Sequence, residues 1–280
     1  MQLAEDAEII ASFLLHTPGL DDAALGDYVG DGDEMCSKVL KCYVSTFNFH
    51  GLGFDDALRK FLNGSPWMAG LTPAQAERVQ RETLVRSFDA GAMVCARGTP
   101  SVHWIGVVQG MLKVETITAG GKSASFIGVP SGAWVGEGAV IKGELRPYDV
   151  VAIRDSVVAF MPRATFQWLM QDSHPFSAWL IGQLNARLGH FIAMVQSLRL
   201  NNTKAQVAYC LASLFNPDLY PGTTRQLEIS QEEIGRLSGV SRQIANRALH
   251  EMQDAGILRI GYGSIEVLDL PALQEIAGGA

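Results

Sequence analysis

Within seven residues the chain places Ser241, Arg242, Gln243, Asn246 and Arg247. An arginine can donate two bonds to guanine O6 and N7, and glutamine or asparagine can form a matching pair of bonds with adenine. A serine just ahead of them can cap a helix and contact a phosphate, as can the helix's own first N–H groups. No acid occurs between Ser241 and His250, so the exposed face reads as locally positive. Ala245 and Ala248 would keep backbone approach close, and Ile244, Leu249 and Met252 take the inward positions. Two arginines alone would as readily solvate an ordinary helix. What decides the reading is the set of elements around them.

Those elements are in register. Lys204–Phe215 reads as a helix, and Leu227–Ile229 as a short strand. Ser230-Gln231-Glu232-Glu233 is an S-x-x-E capping box, so a helix starts there. It runs through Ile234, Leu237 and Ser238 and stops at Gly239, with Val240 buried in the turn. Ser241 caps the next helix, Arg242–Ala255, which ends at Gly256. Ile257–Ile260, a Gly-Tyr-Gly turn and Ser264–Leu268 form a β-hairpin. Helix, tight turn, capped second helix and hairpin make the winged helix-turn-helix plan, whose second helix enters the major groove of double-stranded DNA.

Upstream the period changes. Met93–Ala96, Trp104–Val108, Leu112–Thr118, Ser123–Gly128, Val150–Arg154 and Ser156–Met161 are β-like runs separated by glycines, the pattern of a sandwich or jelly roll. Thr72–Leu84 before them reads as a helix with Thr72-Pro73 as cap and first residue. Over residues 174–200, Ile181, Leu184, Leu188, Phe191, Val195 and Leu198 alternate three and four apart, an a/d seam that predicts a dimer interface. A helix lying on its own barrel is the alternative, but it usually has a wider apolar face.

The chain has 280 residues and a net charge of −7, which at face value opposes a nucleic-acid partner. That charge is uneven. Residues 1–64 hold four bases and eleven acids, whereas residues 65–280 hold 18 of each. The shift sits at Asn63-Gly64-Ser65-Pro66, a cluster of turn formers and the expected domain boundary. The acidic segment reads as short helices at 7–16, 35–47 and 54–62. Asp27–Asp33 is not a calcium loop: in either register the positions that need Gly and Glu, or paired acids, hold Cys, Val or Lys. No run of 18 uninterrupted apolar residues occurs, so no membrane partner is expected. An acidic N-terminus and four widely spaced cysteines (36, 42, 95 and 210) favour a cytoplasmic location. No phosphate loop, HExxH motif or nucleophile elbow is present, so no catalytic and no metal residues are assigned and no enzyme is expected.

From Ser65 onward the chain resembles the CRP-FNR superfamily of bacterial transcription regulators. The resemblance rests on SPWMAGL, AGAMVCARGTP, GVVQGMLKV, GEGAVIKGELRPYDVVAI and ISQEEIGRLSGVSRQIANRALHEMQDAGIL. It implies an α+β fold: a helical N-terminal segment (1–64), a cyclic-nucleotide-binding-type β jelly roll (65–172), a long dimerisation helix (173–200) and a winged helix-turn-helix (201–280). Arg242, Gln243 and Arg247 become the base readers, with Asn246 beside them. The partners implied are double-stranded DNA, a second copy of the chain and RNA polymerase.

The same resemblance places an effector pocket at Gly136, Glu137, Arg146, Phe191 and Ile192. In the family the carboxylate takes a ribose hydroxyl, and the arginine with backbone amides holds a cyclic phosphate. A cyclic nucleotide is therefore the cofactor class implied, but this chain argues against cyclic AMP. Pro147 follows Arg146 and supplies no N–H, and Phe191 and Ile192 are apolar where adenine would be bonded. Glu137 and Arg146 could instead form an ion pair holding the loop. The cysteines are not clustered, so no iron–sulfur cluster is expected. His103 and His190, as lone histidines, are weaker candidates for haem.

Phe13–Leu20, Ala24–Gly30, Val44–Phe54 and Asp56–Leu62 resemble the first half of the exchange domain acting on ARF GTPases. Its catalytic glutamate stretch should follow Leu62, where Asn63-Gly64-Ser65-Pro66 stands instead. The function expected is a sequence-specific DNA-binding regulator controlled through its barrel. The alternative is an ARF-pathway exchange or scaffold protein acting through residues 1–62. Two recognition helices of a dimer would lie about 34 Å apart. Removing residues 1–64 is expected to strengthen DNA binding modestly at low salt, because it removes the negative charge.

Overall fold

A computed structural model describes residues 54–117, 123–199 and 202–278. The helices expected at 7–16 and 35–47, the Asp27–Asp33 loop, Cys36 and Cys42 lie outside the described residues. The chain divides into two units between Arg59 and Lys60, a few residues ahead of the turn-former cluster. The split falls inside helix α1, Phe54–Asn63.

The second unit opens with the last turn of α1 and continues into a short 3-10 helix, Pro66–Gly70, and helix α2, Pro73–Glu82. Thr72 caps α2 in a complete capping box: its hydroxyl accepts from the Gln75 N–H, and the Gln75 side chain accepts from the Thr72 N–H. The strands follow in antiparallel pairs. β1 (Leu84–Phe88), β8 (Ser156–Pro162), β3 (His103–Gln109) and β6 (Trp134–Val135) form one four-stranded sheet in that order. β2 (Met93–Cys95), β7 (Asp149–Ala152), β4 (Met111–Ile117) and β5 (Ser123–Pro130) form the other. Ile105, Val107, Leu112, Val114, Val129 and Val150 fill the core between them. The expected jelly roll is present.

The outer face of the first sheet is covered by rings. Trp104 stacks on Trp134 with centroids 4.2 Å apart, and Phe61, Trp67, Phe166 and Phe176 pack around the pair. Gly106 in β3 is required by this cover: a Cβ there would stand 2.6 Å from Phe61 Cζ. Ser65 Oγ accepts from Trp134 Nε1 at 3.0 Å and donates to the Phe61 carbonyl. The last turn of α1 is thus built into the barrel's own packing.

Helix α3 (Glu137–Lys142) lies between β6 and β7. Helix α4 (Arg163–Asp172) leads to helix α5, His174–Arg199, of 26 residues. The C-terminal head then comprises α6 (Thr203–Ser213), β9 (Gln226–Leu227), α7 (Gln231–Ser238), α8 (Arg242–Asp254), β10 (Leu258–Gly261), β11 (Ser264–Val267) and α9 (Leu270–Ile276). β10, β11 and β9 form a small antiparallel sheet. Val207, Leu211, Ile234, Leu249, Ile265 and Leu273 make its core. Strands β1 and β6 and helices α4 and α9 are not legible from periodicity. β1 is a half-exposed edge strand without clean alternation, and β6 has only two residues.

Candidate nucleic-acid interface and effector pocket

Helix α8 owes its position to two caps and a close approach. Ser230 Oγ accepts from the Glu233 N–H at 3.2 Å, Gly239 ends α7 at φ 68°, and Ser241 Oγ accepts from the Ile244 N–H at 3.3 Å. The capping box at Ser230 is only half closed, because the Glu233 carboxylate turns away from Ser230 to Lys113 and Arg236. A Cβ on Gly235 would meet the Val240 carbonyl at 3.3 Å and Ala245 Cβ at 3.4 Å, so α7 and α8 cross with almost nothing between them.

That crossing decides which side of α8 is free. Ala245, Ala248, Leu249 and Met252 are buried against the head's core. Ser241, Arg242, Gln243 and Arg247 are exposed together on the opposite side. Ile244 is 39% exposed and shares that outer side, so its inward assignment is corrected. Ala245 and Ala248 serve helix packing rather than approach to a duplex. Asn246 is half-buried, and its Oδ1 is buried without a partner among the described residues. The face is also not free of acid. Glu232 Oε2 of α7 lies 3.9 Å from Arg242 Nη1, and Glu251 Oε1 lies 3.6 Å from Arg247 Nε. Both pairs are exposed and therefore weak, so a phosphate or base edge can replace either acid.

At the barrel, Gly136 adopts φ 92° and hands Glu137 inward as the first residue of α3. Glu137 is buried, but its partner is not Arg146. Arg187 of α5 donates from Nε to Glu137 Oε1 at 2.6 Å and from Nη2 to the Trp134 carbonyl at 3.1 Å. Burial works against the Arg187 charge, but Glu137 together with Tyr220 and Tyr148 outweighs it, so the guanidinium pKa is raised. Arg146 instead donates from Nη2 to the His103 carbonyl at 2.7 Å, which corrects the Glu137–Arg146 pairing. Glu137, Arg187, Tyr148 and Phe191 border a cavity of about 220 Å3 whose remaining walls include Val114 and Val135. Burial pushes the Tyr148 phenol up, with Glu137 adding to it. Ile192 points away from the cavity and is 57% exposed. The donors expected to hold a cyclic phosphate are not assembled here: Arg146 does not border the pocket, and Pro147 offers no N–H. Sequence reasoning misses Arg187 because a single arginine inside an apolar seam looks like a solvated position. Its placement among Leu184, Leu188 and Phe191 is the available signal.

On α5, Phe191 turns towards the barrel core, while Ile181, Leu184, Leu188, Ile192, Val195 and Leu198 are exposed. The exposed apolar stripe therefore runs through Ile192 where the heptad count places Phe191.

His103 and His190 are structural neighbours of aromatic rings, Phe160 and Tyr209 respectively. No cluster of metal-ligating side chains occurs among the described residues, and no described helix is long and apolar enough to cross a membrane. Burial, with a smaller contribution from Arg187, pushes the His190 imidazole down to about 4. Its folded pKa therefore lies below the unfolded one, so this stability is complete above pH 6.5 and is lost as pH falls towards 4. The loss should approach about 3 kcal/mol. Denaturant unfolding between about pH 7.5 and 4.5 should show it, and His190→Gln should flatten the acid limb. Parallel limbs for the two proteins would assign the loss elsewhere.

Comparison with known proteins follows these three regions. A Sec7 domain model matches residues 1–81, a cyclic nucleotide-binding domain model residues 85–173, and a Crp-like helix-turn-helix domain model residues 205–276. The cyclic AMP receptor protein of Thermus thermophilus is 25% identical over 218 residues, 78% of this chain and 99% of that protein. The solved structure of a transcriptional regulator of the CRP/FNR family from Thermus thermophilus covers 69% of this chain and 98% of its own, with 24% identity and a TM-score of 0.51; it shows the shared fold. The exchange factor SEC7 of Saccharomyces cerevisiae is 48% identical over 61 residues, 21% of this chain but only 3% of that protein. The helix-turn-helix domain implies DNA binding. The chain thus joins a Sec7 domain segment to a cyclic nucleotide-binding domain and a Crp-like helix-turn-helix domain.

Proposed function

We propose that this protein is a homodimeric, sequence-specific regulator of transcription. The observation that carries the reading is the outer side of α8, where Ser241, Arg242, Gln243 and Arg247 stand exposed beyond a capped helix start. Arg242, Gln243 and Arg247 read base edges, and Ser241 positions the helix on the groove. The exposed stripe of α5 pairs with a second copy, which sets two reading heads on a near-palindromic site. RNA polymerase is the further partner such a regulator meets. The barrel exerts control through Arg187. An effector that draws its guanidinium from Glu137 acts directly on the pairing helix and shifts the population of two arrangements.

Selection of random duplex DNA with the full chain tests this reading. A single recovered motif with two half-sites supports it, and recovery of unrelated sequences with a steep salt response rejects sequence-specific reading. In the selected site Arg242→Ala should cost about 1–3 kcal/mol and relax preference at one base position. Equal weakening on every sequence would make Arg242 a phosphate contact. The Sec7 match favours a second reading, a scaffold that holds an ARF-type GTPase through residues 1–62. That reading requires GTPase binding to full-length Arg242→Ala protein at wild-type strength and no recovered DNA motif from wild type.

A further inference from the structure

The barrel and the reading head enclose a second cavity, of about 120 Å3. Its apolar walls are Phe126 and Ile127 of β5, Met194 of α5 and Leu237 of α7. Its polar walls include His190 and Tyr220. No Asp, Glu, Lys or Arg borders it among the described residues, so a charged occupant would be desolvated without compensation. An engineered apolar cavity of about 150 Å3 admits benzene. A single six-membered ring is therefore the upper size here.

The hydrogen bonds around His190 fix what such a ring must carry. Tyr209 has one hydroxyl hydrogen, and it goes to the His190 carbonyl at 2.7 Å. His190 Nδ1 lies 3.1 Å from the same oxygen and can then bond it only as the donor. In the neutral imidazole this leaves Nε2 as an acceptor, and Nε2 is buried with no partner among the described residues. Buried polar groups normally have partners, so this acceptor marks a place where a donor is wanted.

We propose that this cavity binds a small uncharged ring bearing one N–H or O–H, which donates to His190 Nε2. The occupant touches the barrel through β5, the pairing helix α5 and the head through α7. It would cement the arrangement in which the head lies on the barrel, whatever occupies the separate pocket at Glu137.

The test uses the wild-type full chain labelled with 13C at its methionine methyls, with resonances assigned by Met194→Leu and Met68→Leu. Phenol, its isostere toluene and benzoate are the probes. Phenol should shift the Met194 resonance, leave that of Met68 in place, and bind about tenfold or more tightly than toluene, because only phenol satisfies the acceptor. Benzoate should not bind. His190→Phe should abolish the advantage of phenol over toluene. Equal affinity for phenol and toluene, or no shift at Met194 with phenol, overturns the proposal on wild-type protein alone, so the conclusion does not depend on the variant folding.

Discussion

Phe61→Ala is expected to destabilise the second unit by about 3–5 kcal/mol, the cost of a large buried ring removed from a packed site. The Phe61 ring lies 5.0 Å from that of Trp134 and directly over Gly106, which has no side chain to move into the vacated space. The hole would therefore persist beside β3. Deleting residues 1–64 goes further, since it also removes the fully buried Leu62 and leaves Ser65, the partner of Trp134 Nε1, at a free terminus. Against a typical domain stability of about 5–15 kcal/mol, the shortened chain should be largely unfolded at about 37 °C. A chain starting at Lys60 should keep most of its stability. This overturns deletion of 1–64 as a clean test of the acidic segment's effect on DNA binding; neutralising its acids in the full chain is the usable experiment. Urea denaturation of the three proteins decides the matter. A cost below about 1 kcal/mol for Phe61→Ala would show that the aromatic cluster closes without that ring.

The second large effect concerns the joint between barrel and head. Lys113 of β4 is buried, with Nζ 3.2 Å from Glu115 and 3.3 Å from Glu233 of α7. Lys113→Met removes the one cation between the Glu115 and Glu233 carboxylates and leaves them to repel each other, and breaking a buried ion pair by removing one partner typically costs about 3–5 kcal/mol. The loss should fall on docking as well as on stability. Apart from this cluster, the ion pair between Arg154 and Glu228 and the contact of Gly128 with Leu214 and Leu237 also hold the head to the barrel. Glu233 further bonds Arg236, which bonds Glu232, the acid beside Arg242. The variant should thus unfold at lower urea concentration and show faster proteolysis at the joint. Adding Glu115→Gln and Glu233→Gln should recover much of the loss, because two neutral amides do not repel each other as two carboxylates brought together in a buried site do. If Lys113→Met is neutral, the three charges are better hydrated than their burial indicates.

The reading head is legible in the sequence because its signals are local. Caps at Ser230 and Ser241, glycines at 239 and 256 and the Gly-Tyr-Gly turn each act within a few residues, and together they give α7, α8 and the hairpin. What escapes such reading is set across the chain. Glu233 sits at the right spacing for a capping box, but a lysine 120 residues away competes for its carboxylate. Arg187 takes Glu137 from 50 residues off, in place of the nearer Arg146. Ile244 reads as core by its type, yet Gly235 admits only a small neighbour, so alanines take the inner side. Composition assigns Phe61 to the acidic segment, and only packing reveals that its ring completes the barrel.

Helix α5 carries one further consequence. Over about 39 Å it presents Arg187 to one cavity, His190 to the other and Leu188 and Ile192 to solvent. Three tasks fall between positions 187 and 192 of one rigid rod. A substitution there that reshapes one cavity also disturbs a second surface, so variation in either cavity has little freedom on this helix. The strands are less constrained: Val114 and Val135 border the first cavity only. Divergence of ligand preference among descendants of this chain should accumulate on β4 and β6, while residues 187–192 drift slowly.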